Sequence, residues 1–289
     1  GDYSLSQYSP LISAGVMQGS LVPGLDISLV APSTDILGNS RPSPSGSNPD
    51  IGAYENSSSE IVYNPNKYVS VNGNNGNLGI ITDPWRDIQY AIDQAQDSDI
   101  IHVAAGTYVE NIDYSGKDIS IIGEDRETTI IDGNQSGRVV YIADIDGSAK
   151  LQSLTIENGI GEWCDCVGGE AGGGVFVDAY GDIVLDDLKI HNNNGVVYGG
   201  GIYASNNGLR ITNSLIHGNS SEDGGGVYIQ NSSDIVLKNN LIYQNAANEG
   251  GGLSMQACLN AKIDNNTITN NQSHGLHLGI NSTINIMES

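Results

Sequence analysis

The chain has 289 residues, with 34 Asp or Glu against 11 Lys or Arg, and a formal net charge of −23. That balance excludes the basic face that nucleic acid requires and opposes docking on an anionic membrane. Charged residues make up only 16% and glycine fills 38 positions, so the composition is that of a regular, polar, Gly-rich fold rather than a disordered polyelectrolyte. No apolar run reaches the roughly 18 residues of a membrane-spanning helix.

In chain order, the acidic and polar stretch 56–66 predicts a junction between a segment 1–55 and a longer domain 67–289. The first regular element is a helix near residues 84–95. Asp83 serves as N-cap, Pro84 suits the first helical position, and Ile88, Ala91, Ile92 and Ala95 form one apolar stripe. Strands follow near 100–103, 106–108, 119–122 and 129–131. A short amphipathic helix directly before a run of strands is what the exposed first turn of a solenoid needs as cover.

From residue 183 the chain repeats. Segments 183–193, 209–219, 235–245 and 261–271 align without gaps, and their starts lie 26 residues apart. Glycine clusters stand at 199–201, 224–226 and 250–252, with His274-Gly275 in the last repeat and 172–174 closing an earlier, longer turn. Apolar residues alternate within each unit, as in Ile183, Leu185, Leu188 and Ile190, so each unit is built of short strands with one buried face. A second short strand follows each glycine cluster, at 175–177, 202–204, 227–229, 253–255 and 276–278. Short strands at a constant period with polar turns predict a parallel coil, each turn pairing with the next at about 4.8 Å. Asn193, Asn219, Asn245 and Asn271 fall at one repeat position, and Asp187, Asn213, Asn239 and Asn265 at another. Both columns read as structural: amides bonding along the axis and turns of left-handed conformation.

Tyr68-Val-Ser-Val-Asn-Gly-Asn-Asn-Gly, the helix, Asp99-Ile-Ile-His-Val-Ala-Ala-Gly-Thr-Tyr-Val-Glu-Asn-Ile112, Gly116-Lys-Asp-Ile-Ser-Ile-Ile-Gly123 and Thr128-Thr-Ile-Ile-Asp-Gly133 resemble the start of pectate-lyase-like right-handed parallel β-helix proteins. The resemblance covers 67–289 and implies that all-β solenoid fold in a secreted or cell-surface protein. It leaves activity open, because the fold carries lyases, hydrolases, adhesins and inert spacers. Residues 1–55, with Asp35-Ile-Leu-Gly-Asn-Ser-Arg41 and Asp50-Ile-Gly-Ala-Tyr-Glu55, resemble the closing segment of similar proteins, although here they come first. The expectation is a head-to-tail or tandem arrangement in which 1–55 completes a neighbouring copy; the alternative is that it folds back on its own chain.

In a solenoid, residues one repeat apart become neighbours, so chemistry is sought in columns. The outward position of the strand after the glycines holds Phe176, Tyr203, Tyr228, Ser254 and His277, which would form an aromatic platform for sugar rings or ordinary cross-strand pairs. The position before the glycines holds Ala171, Tyr198, Asp223, Glu249 and His274. Asp223 and Glu249 would lie about 5 Å apart, which suits a retaining glycosidase pair, a calcium ion or merely a solvated acidic turn. Trp163 sits in the longer turn 159–171 beside these columns, so a ligand groove would run from it past Tyr198, Tyr203 and Tyr228 to His277. His191 and His217 share an outward column but have no third metal ligand. Ser273-His-Gly-Leu-His277 lacks the paired Asp and Arg-x-Lys motifs of polygalacturonases, and no two basic residues share a column, which disfavours a polyuronate lyase. Cys164, Cys166 and Cys258 allow one local disulfide or three free thiols. The expected function is a structural or binding module of filament or adhesin type with a carbohydrate-binding face. The alternative is a glycoside hydrolase of neutral glycans.

Overall fold

The structure is a computed structural model that describes residues 63–287, apart from 166 and 207, together with 33, 34, 40 and 41. The chain divides into two compact units, Gly1–Asn64 and Pro65–Ser289. In the first, Thr34 bridges Ser40 and the Arg41 N–H donates to the Ser33 carbonyl. Most of the predicted closing segment 1–55 and of the junction 56–66 lies outside the described residues.

The second unit is a parallel β-solenoid. Among the described residues, one sheet has nine strands, two have seven, and a short antiparallel hairpin stands apart from them. Neighbours within each sheet come from successive coils, as the repeat period requires. In the nine-stranded sheet Val184 pairs with Arg210, Arg210 with Val236, and Val236 with Lys262, each step being 26 residues. Inward side chains fill one continuous core from Val69 to Ile263. Toward either end the step departs from 26 residues: it is 34 from Ser148 to Asp182, where the added residues loop out at a turn, and only 23 from Ala261 to Ile284.

The two polar columns divide the work of turning the chain. Asp187, Asn213, Asn239 and Asn265 all have φ between 49° and 58°, the left-handed conformation that their short side chains tolerate. Asn193, Asn219 and Asn245 are instead buried, and their amides link coil to coil. A parallel ladder of Ser214, Asn240 and Asn266 runs beside them. Its 26-residue period is the same, but Leu188 occupies its place in the first repeat, which hid it in the sequence.

The first glycine of each cluster, at Gly172, Gly199, Gly224 and Gly250, has φ between 54° and 67°. At the third, the obstacle is close approach: a Cβ on Gly226 would lie 2.5 Å from the Gly252 carbonyl oxygen of the next coil. The coils could not stack here with any other residue.

The capping helix is shorter than the sequence predicts, Ile88–Gln94, with Asp87 rather than Asp83 at its N-cap. Asp83 bridges Ile80, and its carboxylate accepts from the Leu78 N–H, which commits 78–83 to a turn. The helix's first N–H groups are satisfied from another coil: Ile88 and Gln89 both donate to the Glu110 carboxylate, at 2.9 Å each. No sequence-local cap signal can report a partner 22 residues away. Ile88, Ala91 and Ile92 close the end of the core as expected.

Candidate functional site

Outward from the main core, a second apolar cluster is built on the column after the glycines. Tyr141, Phe176, Tyr203 and Tyr228 stack in register, with ring centroids 5.3, 4.9 and 5.9 Å apart. The predicted parity is right, but the predicted accessibility is not: Phe176 and Tyr203 are fully buried and Tyr228 is 5% exposed. The hairpin made by Glu162–Cys164 and Gly169–Ala171 lies beside them, with Cys164, Val167 and Tyr198 packed against the rings. Burial holds the Tyr203 hydroxyl protonated, its pKa pushed up to about 12, while it accepts from Gln230 Nε2 at 2.7 Å. Phe176, Tyr203 and Tyr228 therefore hold the longer turn in place and offer no open platform to a sugar. Cys164 of that turn is disulfide-bonded, and Cys258 is free and buried in the main core; Cys166 lies outside the described residues.

Where the ladder emerges, it borders a cleft of about 370 Å³ lined by Asn111, Asp113, Arg138, Tyr141, Glu162 and Trp163. Trp163 is 61% exposed, and its indole N–H donates to Asp165 at 2.8 Å, which limits rotation of the ring. The guanidinium of Arg138 lies 4.2 Å from the centre of the Phe176 ring and 5.1 Å from that of Tyr141. Its Nη2 donates to the Glu162 carbonyl, while Nε faces the Glu162 carboxylate at 3.2 Å without hydrogen-bond alignment. Burial works against the Arg138 charge and the Glu162 carboxylate supports it. Sequence reasoning missed Arg138, because its partners lie one coil away and no spacing announces them.

The column before the glycines is also observed. Ala171 bridges Tyr198, Tyr198 bridges Asp223, and Asp223 bridges Glu249. The His274 side chain does not join it: the residue is exposed, its ring lies against Ser273 Oγ at 3.1 Å, and only its backbone carbonyl reaches the neighbouring coil, at the Gly252 N–H. His277 takes that place. It pairs in register with Ser254, and its Nδ1 lies 3.4 Å from both Glu249 Oε2 and Ser254 Oγ. Asp223, Glu249 and His277 each present a ligand atom within 4.8 Å of the others'. Burial pushes the Asp223 carboxyl above its ordinary pKa; Ser254 and His277 oppose that shift, and Glu249 adds to it. Ser254 is fully buried. Tyr198 and Tyr228 stand at the edge of this cluster, their rings 4.9 Å apart.

His191 and His217 stack at 5.1 Å, continued by Tyr243 at 4.8 Å. Glu157 faces His191 Nε2 at 3.1 Å, a contact that becomes an ion pair only when the imidazole is protonated.

A parallel solenoid with Asn ladders, glycine-stacked turns and an end-capping helix defines the β-helix class. The chain belongs to the right-handed β-helix family: the profile described as "Right handed beta helix region" matches residues 119–289. Among solved structures, pectate lyase Pel9A is similar at 16% identity and TM-score 0.45, over 70% of this chain and 52% of that one. Rhamnogalacturonan lyase is similar at 12% identity and TM-score 0.36, over 70% and 67%. Pectin methylesterase PemA from Erwinia chrysanthemi is similar at 12% and 0.34, over 69% and 78%. The chain thus spans about half the length of the pectate lyase. No curated protein sequence matches it. Among the described residues, no helix is long and apolar enough to cross a membrane.

Proposed function

We propose that this chain is an extracellular β-helix module that binds neutral polysaccharide in the cleft at Trp163. The observation that carries the reading is the exposed, rotationally restrained indole beside the Arg138–Glu162 pair and the rim of Tyr141. An aromatic face takes the C–H side of a sugar ring, and planar charged groups with free lone pairs and N–H donors take its hydroxyls. The cleft also carries Glu162 and Asp113 on a chain of net charge −23, so polyuronates are repelled and neutral chains are favoured. The disulfide at Cys164 fits an oxidising compartment. Calorimetry against neutral and uronate oligosaccharides tests the assignment. Trp163→Ala should abolish binding of the neutral ligand while leaving the melting temperature unchanged; undiminished binding by that variant would refute it.

Self-association is the second part of the reading. Among the described residues Ile284–Met287 is an outermost strand of the nine-stranded sheet, paired with Ala261–Asp264, and an outermost strand is the kind of edge through which a further strand is added. Light scattering that shows a monomer at all concentrations would remove it.

A further inference from the structure

We propose that Asp223, Glu249 and His277 bind a divalent transition metal, zinc foremost, and that the ion clamps three successive coils together. The three residues come from adjacent coils, and their ligand atoms converge within 4.8 Å. Donors around a tetrahedral zinc stand about 3.4 Å apart, so the observed spread needs only a small contraction. Glu249 can supply it, since its side chain is 62% exposed and is confined by no described contact other than His277.

The Asp223 carboxylate gives the second, independent indication. Its Oδ1 is sealed from solvent and has no hydrogen-bond partner among the described residues. A carboxylate oxygen left in that state is costly, and a metal bond is one of the few things that would satisfy it. The neighbours of the cluster already hold it in position: Ser254 Oγ lies 3.4 Å from His277 Nδ1, the Gly224 N–H donates to the Glu249 carbonyl at 3.0 Å, and the bridges Tyr198–Asp223 and Asp223–Glu249 fix the backbone spacing.

The imidazole decides between the chemistries that two stacked carboxylates allow. Retaining-glycosidase chemistry needs only the two carboxylates and gives the imidazole 3.4 Å from Glu249 no part. Calcium prefers a shell of six to eight oxygens, and a nitrogen in so sparse a set argues against it. Two carboxylates and one imidazole, with water in the fourth position, suit zinc, and the affinity order places manganese and cobalt below it. The site is separate from the Trp163 cleft, so it stands or falls apart from the carbohydrate reading.

The experiment uses the chain freed of metal with a chelator, titrated separately with zinc, cobalt, manganese and calcium chloride. Zinc should raise the melting temperature in a saturable way, and cobalt should give the visible absorption of a four-coordinate site. His277→Ala and Glu249→Gln should each weaken zinc binding at least tenfold, while His274→Ala, a change at the exposed histidine nearby, leaves it unaltered. Glu249 is too exposed for its substitution to threaten folding, so a metal-free melting temperature matching the parent chain keeps that comparison valid. A response to calcium alone, no response to zinc, or equal zinc affinity in the parent and His277→Ala chains would each overturn the assignment.

Discussion

Replacing Asn219 by alanine would remove four hydrogen bonds from a place that water does not reach. The Asn219 side chain accepts from the Asn193 N–H at 3.0 Å and from Asn193 Nδ2 at 3.1 Å, and it donates to the Ile190 carbonyl at 2.9 Å and to Asn245 Oδ1 at 3.0 Å. Asn193 Nδ2 keeps the Ile156 and His191 carbonyls, so the amide above survives. The Asn193 N–H loses its acceptor, and such a buried orphan costs about 1–3 kcal/mol, with about 1 kcal/mol more for each remaining net bond. The sum is about 3–5 kcal/mol. Asn271, at the last described rung, makes three of these four contacts and is half-buried, so water replaces what alanine removes and the cost falls to about 1–2 kcal/mol. Urea unfolding followed by far-UV circular dichroism measures both variants, and the difference between them cancels any error in the absolute scale. Because a solenoid's stability is a sum of neighbour terms, a middle rung must matter more than an end rung. Equal costs, or a loss below about 1 kcal/mol for Asn219→Ala, would refute the reasoning.

Two glycine changes separate steric from conformational need. Gly226→Ala should cost about 3 kcal/mol, because the new Cβ meets a backbone carbonyl that cannot swing away, whereas Gly168→Ala, at φ +69° with open space around it, should cost about 1 kcal/mol; thermal or urea midpoints in the reverse order would contradict this. Acid should loosen the ladder of His191 and His217. Burial lowers both pKa values, and for His217 the neighbouring His191 and Lys189 lower it further while Glu127 opposes; for His191, Lys189 adds to burial while Asn192 and Glu127 oppose. Glu157, facing His191, and Tyr243, stacked on His217, complete the surroundings. The unfolded chain then takes up protons before the folded one, so stability is full well above the ordinary histidine value of about 6.5 and falls as pH drops through it. His217→Phe preserves the stack and should flatten that part of a stability–pH profile; an unchanged slope would show that His217 does not contribute.

How far the fold could be read in advance is decided by where its information lies. Register was legible because a constant 26-residue step turns columns of identical residues into neighbours, which is why Asn193 and Asp187 and their equivalents stand where expected. The helix start was misread because Asp83 and Pro84 form a local signal that a turn can use equally well, while the real cap, Glu110, comes from the next coil. Phe176, Tyr203 and Tyr228 face outward as parity demands, but their burial is decided by the non-repeating turn beside them, and nothing periodic describes that turn. At the candidate metal site the pairing of Asp223 with Glu249 followed from the repeat. His277 joins it because the step from Ser254 to His277 is only 23 residues, which breaks the period at the very place where a ligand is added.

The close approach at the third glycine of each cluster also governs how such a chain can change in length. A carbonyl oxygen of one coil lies where a Cβ of the previous coil would be, at Gly174, Gly201, Gly226 and Gly252 in turn. From Gly174 to Gly201, Gly226, Gly252 and Gly275 the steps are 27, 25, 26 and 23 residues, while the Asn rungs keep their 26-residue step, so a residue gained or lost is absorbed in the turn between a rung and its glycine cluster and neither the rung nor the close approach moves. A gain of one whole coil disturbs neither. The rod is thus quantised in its rungs but not in its turns: it can lengthen or shorten only by entire coils, while single insertions fall in the turns between a rung and its glycine cluster or in excursions such as 159–171.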